Sequence, residues 1–524
     1  MDINRVKLLL NTVKYLRFIQ VYYRFYYFFR AKVRSKNYKK KPPKNIHNIQ
    51  WKNVVRHSNT FLSHNTFSFL NIQHDFLEKI DWNYNGYGKL WTYNLNYFDF
   101  LNQKEFNQED GIGLINNYIS SNKFLKDGKE PYPISLRAIN WVKFLSEHKV
   151  KDEKIDQILY NDYQVLLNNL EYHLLGNHLL ENAFSLFFGA YYFQDEGIYK
   201  KAKRVLVSQL NEQILKDGGH FELSPMYHQI LLNRLLDCIQ LIQLNNWKNN
   251  DDIKCFLIEK ASQMLSWLTS VTYKNGEIPM VNDSAVGIAL SSKELFHYGS
   301  KLNIPFEEVK LFDSGYRKII AKNYEFFIDV GNIGVDYQPA HAHSDTFSFE
   351  LIYKGTPVIV DTGTSTYEKD DRRQLERGTS SHNTVQIESS NQSQVWGGFR
   401  VAKRARIKEL SESGNKISAT HNGYQPIGYL HTRSFQWDED FVEIKDKISK
   451  PTNNKAEAFF HLEAGTDFEI KKGKVFIGDI NLEFEGASSI EVKKYHLAKG
   501  FNKTKDAQKI IITFDQYLVT KISL

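Results

Sequence analysis

The chain has 524 residues, too many for one ordinary core, so two or more domains are expected. Its 42% hydrophobic and 24% charged residues are those of a soluble globular protein. The net charge of +8 gathers at the amino end, where residues 1–50 hold 13 Lys and Arg against one acid, Asp2. The remainder is net negative, which excludes a basic nucleic-acid binder.

The basic arm, residues 1–60, mixes its cations with Tyr22, Tyr23, Tyr26, Tyr27, Phe28 and Phe29. That composition suits peripheral contact with an anionic membrane, or else an extension packed on the body. No apolar run reaches the ~18 residues that span a bilayer, and no clean leader stands out. The expected location is cytoplasmic or peripheral to a membrane, with the periplasm as alternative. Cys238 and Cys255 form neither a disulfide framework nor a metal-binding pair.

Residues 61–311 read as helical. Apolar residues recur at helical spacing over 161–175, 181–193, 199–215, 228–244 and 253–271, without a clear repeat, as in an irregular toroid of helical hairpins. Three segments carry unusual polar residues. The first pairs an aromatic stretch containing Tyr93 with Arg137, Asn140 and Trp141, a set able to pair with and stack on an acidic sugar. The second sets Asn177, His178 and Glu181 at the start of an apolar helix. The third runs from Asp217 to His228, with Ser224-Pro225 opening a helix and Tyr227 and His228 in its first turn.

Residues 312–524 turn to period two, with strands expected over 324–330, 346–353, 384–388, 433–437, 441–448 and 509–514. Helices followed by strands indicate an α+β chain, a helical toroid followed by an antiparallel β-sandwich. Extending the strand at 346 backwards would project His341, His343 and Asp345 from one sheet face. Two imidazoles and a carboxylate suit a divalent metal or a proton-transfer site.

These blocks together resemble the heparinase II/III family of polysaccharide lyases: Asn177-His178-x-x-Glu181, Asp217 to Glu222 with Ser224 to His228, His341-Ala-His343, Asp361, and Ser381-His382-Asn-Thr384. The resemblance implies an incomplete α/α toroid followed by a β-sandwich, and cleavage of a uronate-containing glycan by β-elimination. It implies that Asn177 neutralises the uronate carboxylate, that Tyr227 is the catalytic tyrosine and that His178 and His341 are its partners. Glu181 corresponds to an acidic residue of one branch, and His343, Asp361 and His382 to ligands of a structural zinc.

A base must take the C5 proton while an acid protonates the departing oxygen, and tyrosine needs a depressed pKa to be that base. Arg137, Asn140, Trp141, His228 and Tyr93 are expected to bind the acidic polysaccharide. Two other readings stand beside the lyase: a non-catalytic or biosynthetic glycan-handling protein, and a hydrolase activating water on a metal held by His341, His343 and Asp361. An unsaturated uronate product separates the first from both.

Overall fold

The computed structural model describes residues 3–33, 40–43, 46, 49–248 and 251–524. Arg34, Lys36, Lys39 and Lys44 of the basic arm lie outside them. Helices α1 (Ile3–Val13) and α2 (Phe18–Val33) precede a small antiparallel sheet, Phe61–Ser63, Thr66–Phe69 and Ile72–Asp75. The helical body follows: α3 (Lys89–Tyr97), α4 (Gln108–Ser121), α5 (Pro131–Glu147), α6 (Glu153–Asn168), α7 (Gly176–Phe193), α8 (Glu196–Gln213), α9 (Pro225–Leu244), α10 (Asp251–Val271) and α11 (Ser292–Lys301).

Local chemistry sets the helix starts. Asn107, Asp152 and Asp195 each accept two backbone N–H groups at the heads of α4, α6 and α8. The Asp152 cap explains why α6 begins well before the expected 161 and is over by Asn168. Ser224 caps α9 with Pro225 in its first turn. Helix α7 is apolar nearly all round and buried along almost its whole length, as a central helix must be. It packs against α5, α8 and α9.

Two large sheets and a two-stranded ribbon, Val395–Trp396 with Arg400–Val401, make the β part. Tyr316–Ile320, Tyr324–Asp329, Phe349–Tyr353 and Thr356–Ile359 form one four-stranded antiparallel sheet. The other has ten strands, and its centre pairs Phe441–Ile448 with the long hairpin Ile480–Ala498 and Thr504–Ser523. Phe326, Phe349 and Leu351 of the first meet Phe435, Ile444, Phe460 and Ile512 of the second in one buried layer.

The strand expected over 346–353 starts only at Phe349. Ser348 N–H closes a turn onto Asp345 O at 2.8 Å, and Phe347 adopts φ 70. His341, His343 and Asp345 are therefore on a loop, not on a sheet face. That loop reaches into the helical body, where Asn282 Oδ1 accepts from His343 N–H at 2.9 Å. Helix α2 ties the two parts together as well: buried Gln20 Nε2 donates to Leu174 O at 3.1 Å and to Tyr337 O at 3.2 Å.

Candidate active site

Four loops converge between the toroid and the sandwich. Each passes through a left-handed non-glycine residue: Leu175 (φ 67), Leu223 (φ 58), Asn282 (φ 54) and Phe347 (φ 70). Such conformations cost roughly 1–3 kcal/mol apiece and persist where the surroundings over-determine them.

The Leu175 turn starts α7 with Asn177 and His178. Asn177 donates to Glu222 twice, from its backbone N–H at 2.9 Å and from Nδ2 at 2.8 Å, and Nδ2 lies 3.4 Å from His341 Nε2. The Leu223 turn starts α9, whose first turn holds Tyr227. The Tyr227 ring stacks on the His341 imidazole with centroids 3.8 Å apart, and its hydroxyl is 3.2 Å from that of Tyr367.

Behind His341 stands Asp283, wholly buried. One oxygen faces His341 Nδ1 and the other His343 Nε2, each at 2.9 Å, while the Arg373 guanidinium forks onto both at 2.5 and 2.7 Å. Burial alone would raise this carboxyl, but Arg373 and the two imidazoles hold it well below the usual carboxylate range. A charged acceptor at Nδ1 fixes the imidazole with Nε2 turned toward Asn177.

The expectation of a depressed Tyr227 pKa is corrected. Burial dominates and pushes the phenol well up, and the nearby carboxylates of Asp283 and Glu222 add to it, so the hydroxyl keeps its proton. His178 moves differently: burial opposes its charge, but Glu171, with Oε1 3.0 Å from Nδ1, raises its pKa on balance. The half-buried His178 ring packs on Tyr132 at 4.5 Å, and Tyr132, Tyr97 and Tyr93 continue one aromatic wall. Glu181 lies deeper on the same helix with Arg234 Nε 3.7 Å away, and burial pushes its carboxyl up to about 7.

Four expected substrate contacts are structural instead. Arg137 is buried on Asp162 at 2.7 Å and Gly128 O at 2.8 Å, because its position on α5 faces the core. Trp141 has no exposed surface and packs on Phe98 and Tyr118. Asn140 donates to Tyr97 O at 2.9 Å and to Asp99 Oδ1. His228 is sealed between Met264 O and the His220 N–H, and burial lowers its pKa to about 3. Glu222 stood in the Asp217 to Glu222 block without a role, while Asp283, Arg373, Tyr367 and Arg234 were missed; of these, the polar island Asn282-Asp283-Ser284 within an apolar stretch marked only Asp283.

A second cluster lies behind the first. His382 Nδ1 is 2.7 Å from Asp361 Oδ2, and the His343 and His382 rings are 5.3 Å apart. His343 Nδ1 and His382 Nε2 are buried with no hydrogen-bond partner, as is Asp345 Oδ2. Two orphaned imidazole nitrogens beside carboxylates fit a zinc-type donor set, although no three such side chains among the described residues already surround a common point. Asp361 would have to turn an oxygen from His382 to complete it.

Two family profiles match the chain: "Heparinase II/III N-terminus" over residues 133–301 and "Heparinase II/III-like, C-terminal" over 305–523. A heparin-sulfate lyase of Bacteroides stercoris is 22% identical over 380 residues, 67% of this chain and 55% of that protein. The chain spans about half the length of the heparin-sulfate lyases it matches. The crystal structure of a heparinase III aligns over 94% of this chain and 88% of its own, with TM-score 0.67 and 16% identity. The Streptomyces coelicolor A3 chondroitin AC lyase, solved with chondroitin sulphate, aligns over 83% and 74%, with TM-score 0.53 and 9% identity. At such identities these structures speak to the fold, the toroid followed by a sandwich. With both domains matched in order over most of its length, the chain belongs to the heparinase II/III family.

Proposed function

We propose that the chain is a polysaccharide lyase that cleaves a uronate-containing glycan by β-elimination. The observation that carries the reading is the stacked pair Tyr227 and His341, oriented by Asp283 and flanked by Asn177 in a tyrosine-walled cleft. His178, with its raised pKa, and the Asn177 Nδ2 that faces His341 meet the uronate carboxylate and stabilise the charge that develops on it. His341 Nε2 takes the C5 proton, the C–H electrons form the C4–C5 double bond, and the C4–O bond breaks. The Tyr227 phenol, kept protonated by burial, gives its proton to the departing glycosidic oxygen.

The test is to incubate the purified chain with a panel of uronate glycans and to follow the ultraviolet absorbance of an unsaturated uronate. Absorbance growth supports elimination; a new reducing end without absorbance indicates hydrolysis, and no cleavage across the panel favours a glycan-handling protein.

The orphaned nitrogens of His343 and His382 support a divalent metal, zinc by its donors, held with Asp361. Its chemistry there would be structural, neutralising buried carboxylates and pinning the loop that carries His341. Metal analysis should find about one equivalent, lost in His343→Ala with Asp361→Ala; full retention in that variant contradicts the assignment.

A further inference from the structure

Helix α2 has two faces with opposite fates. On one, Gln20 is buried, the Tyr27 hydroxyl donates to Leu170 O at 2.6 Å, Tyr23 stacks on Tyr172 at 4.7 Å and Arg30 donates to Asn168 O at 2.5 Å. These contacts seat the helix on the segment leading into Asn177. The other face, at positions i, i+4, i+7, i+8 and i+11, presents Phe18 (83% exposed), Tyr22 (50%), Phe25 (60%), Tyr26 (42%) and Phe29 (60%) to solvent. Single exposed hydrophobics are ordinary on a protein surface, but an unbroken aromatic stripe on a firmly seated helix is not.

The charge around the stripe identifies what covers it. Arg5, Lys7 and Lys14 are exposed on and just after α1, and Lys40 and Lys41 are exposed past α2. Asp2 is the one acid in residues 1–50. A second copy of this face would set cations against cations. We propose that α2 docks the chain on an anionic phospholipid surface, its aromatic stripe entering the headgroup region and the flanking cations pairing with lipid phosphates. No helix among the described residues is long and apolar enough to cross a membrane, so α2 lies on the surface. The inference does not depend on the lyase reading.

The experiment is cosedimentation of the full chain with vesicles of phosphatidylcholine alone and of phosphatidylcholine with phosphatidylglycerol, at low and high salt. Binding is expected only to the anionic vesicles, weakened by salt, and lowered at least about tenfold by combined Phe18→Ser, Phe25→Ser and Phe29→Ser. These side chains are exposed, so the variant should keep the wild-type Tm, which confirms that it folds. Absence of binding to anionic vesicles, or equal binding by the triple variant, overturns the proposal. So does a wild type that dimerises through this face by light scattering, or an acidic polysaccharide whose binding the triple substitution abolishes while vesicle binding is untouched.

Discussion

The Tyr227 ring lies flat on the His341 imidazole, 3.8 Å between centroids and 30° between planes, although the two residues come from different domains. The contact sets a phenol against an imidazole, the two groups that a paired acid and base require. Their supports differ: Tyr227 rides on the rigid first turn of α9, and His341 is held through Nδ1 by Asp283.

Tyr227→Phe is expected to lower kcat by about 10²–10⁴-fold with KM little changed. Stability should fall by no more than about 1 kcal/mol, since only the contact with the Tyr367 hydroxyl is lost. Steady-state kinetics beside a thermal melt check both. Retention of more than about a tenth of the wild-type kcat removes the proton-transfer role.

Asp283→Asn should be costly on two counts. It removes the charge facing buried Arg373, at about 3–5 kcal/mol, and it frees the His341 tautomer. Denaturant unfolding should show the loss, and kcat in the folded fraction should drop at least about tenfold. An unaltered midpoint would mean that Arg373 finds compensation elsewhere.

Trp141→Ala tests the placement of this indole in the core. A core indole should cost about 3–5 kcal/mol on truncation, while KM for any cleaved glycan stays near the wild-type value. A large rise in KM with little loss of stability would return Trp141 to the substrate site.

The Glu181 carboxyl titrates near 7 in the folded chain, above its ordinary value of 4.5. A raised carboxyl favours the folded state while protonated, so its contribution declines as pH climbs from about 4.5 through about 7. The full swing is on the order of 3 kcal/mol. Glu181→Gln should therefore gain Tm relative to wild type on going from pH 5 to pH 8. Paired melts at the two pH values read this directly, and a difference that shrinks with pH contradicts it.

The fold was legible because its periodicities are strong: α7 is too apolar for a surface helix, and strand 441–448 has the bounds its alternation implies. The blocks holding Asn177, Tyr227 and His341 stood out as polar islands. Arg137 and Trp141 misled because a charge or an indole in an apolar helix reads alike whether it faces a cleft or a core. Only the partners decide, and Asp162 is 25 residues from Arg137. Asp283 and Arg373 escaped for the same reason, since their fork joins residues 90 apart. The depressed pKa that a tyrosine base needs is absent at Tyr227 because burial, with carboxylates nearby, outweighs its place in the first turn of α9.

The most direct test of the central claim is a single-turnover elimination assay on a uronate glycan that the wild-type chain cleaves, run side by side with His341→Ala and Tyr227→Phe. Unsaturated uronate is expected from the wild type and a deficit of at least about 10²-fold in each variant, with glycan binding retained in both. Wild-type rates in either variant, or cleavage by the wild type without an unsaturated product, would contradict it.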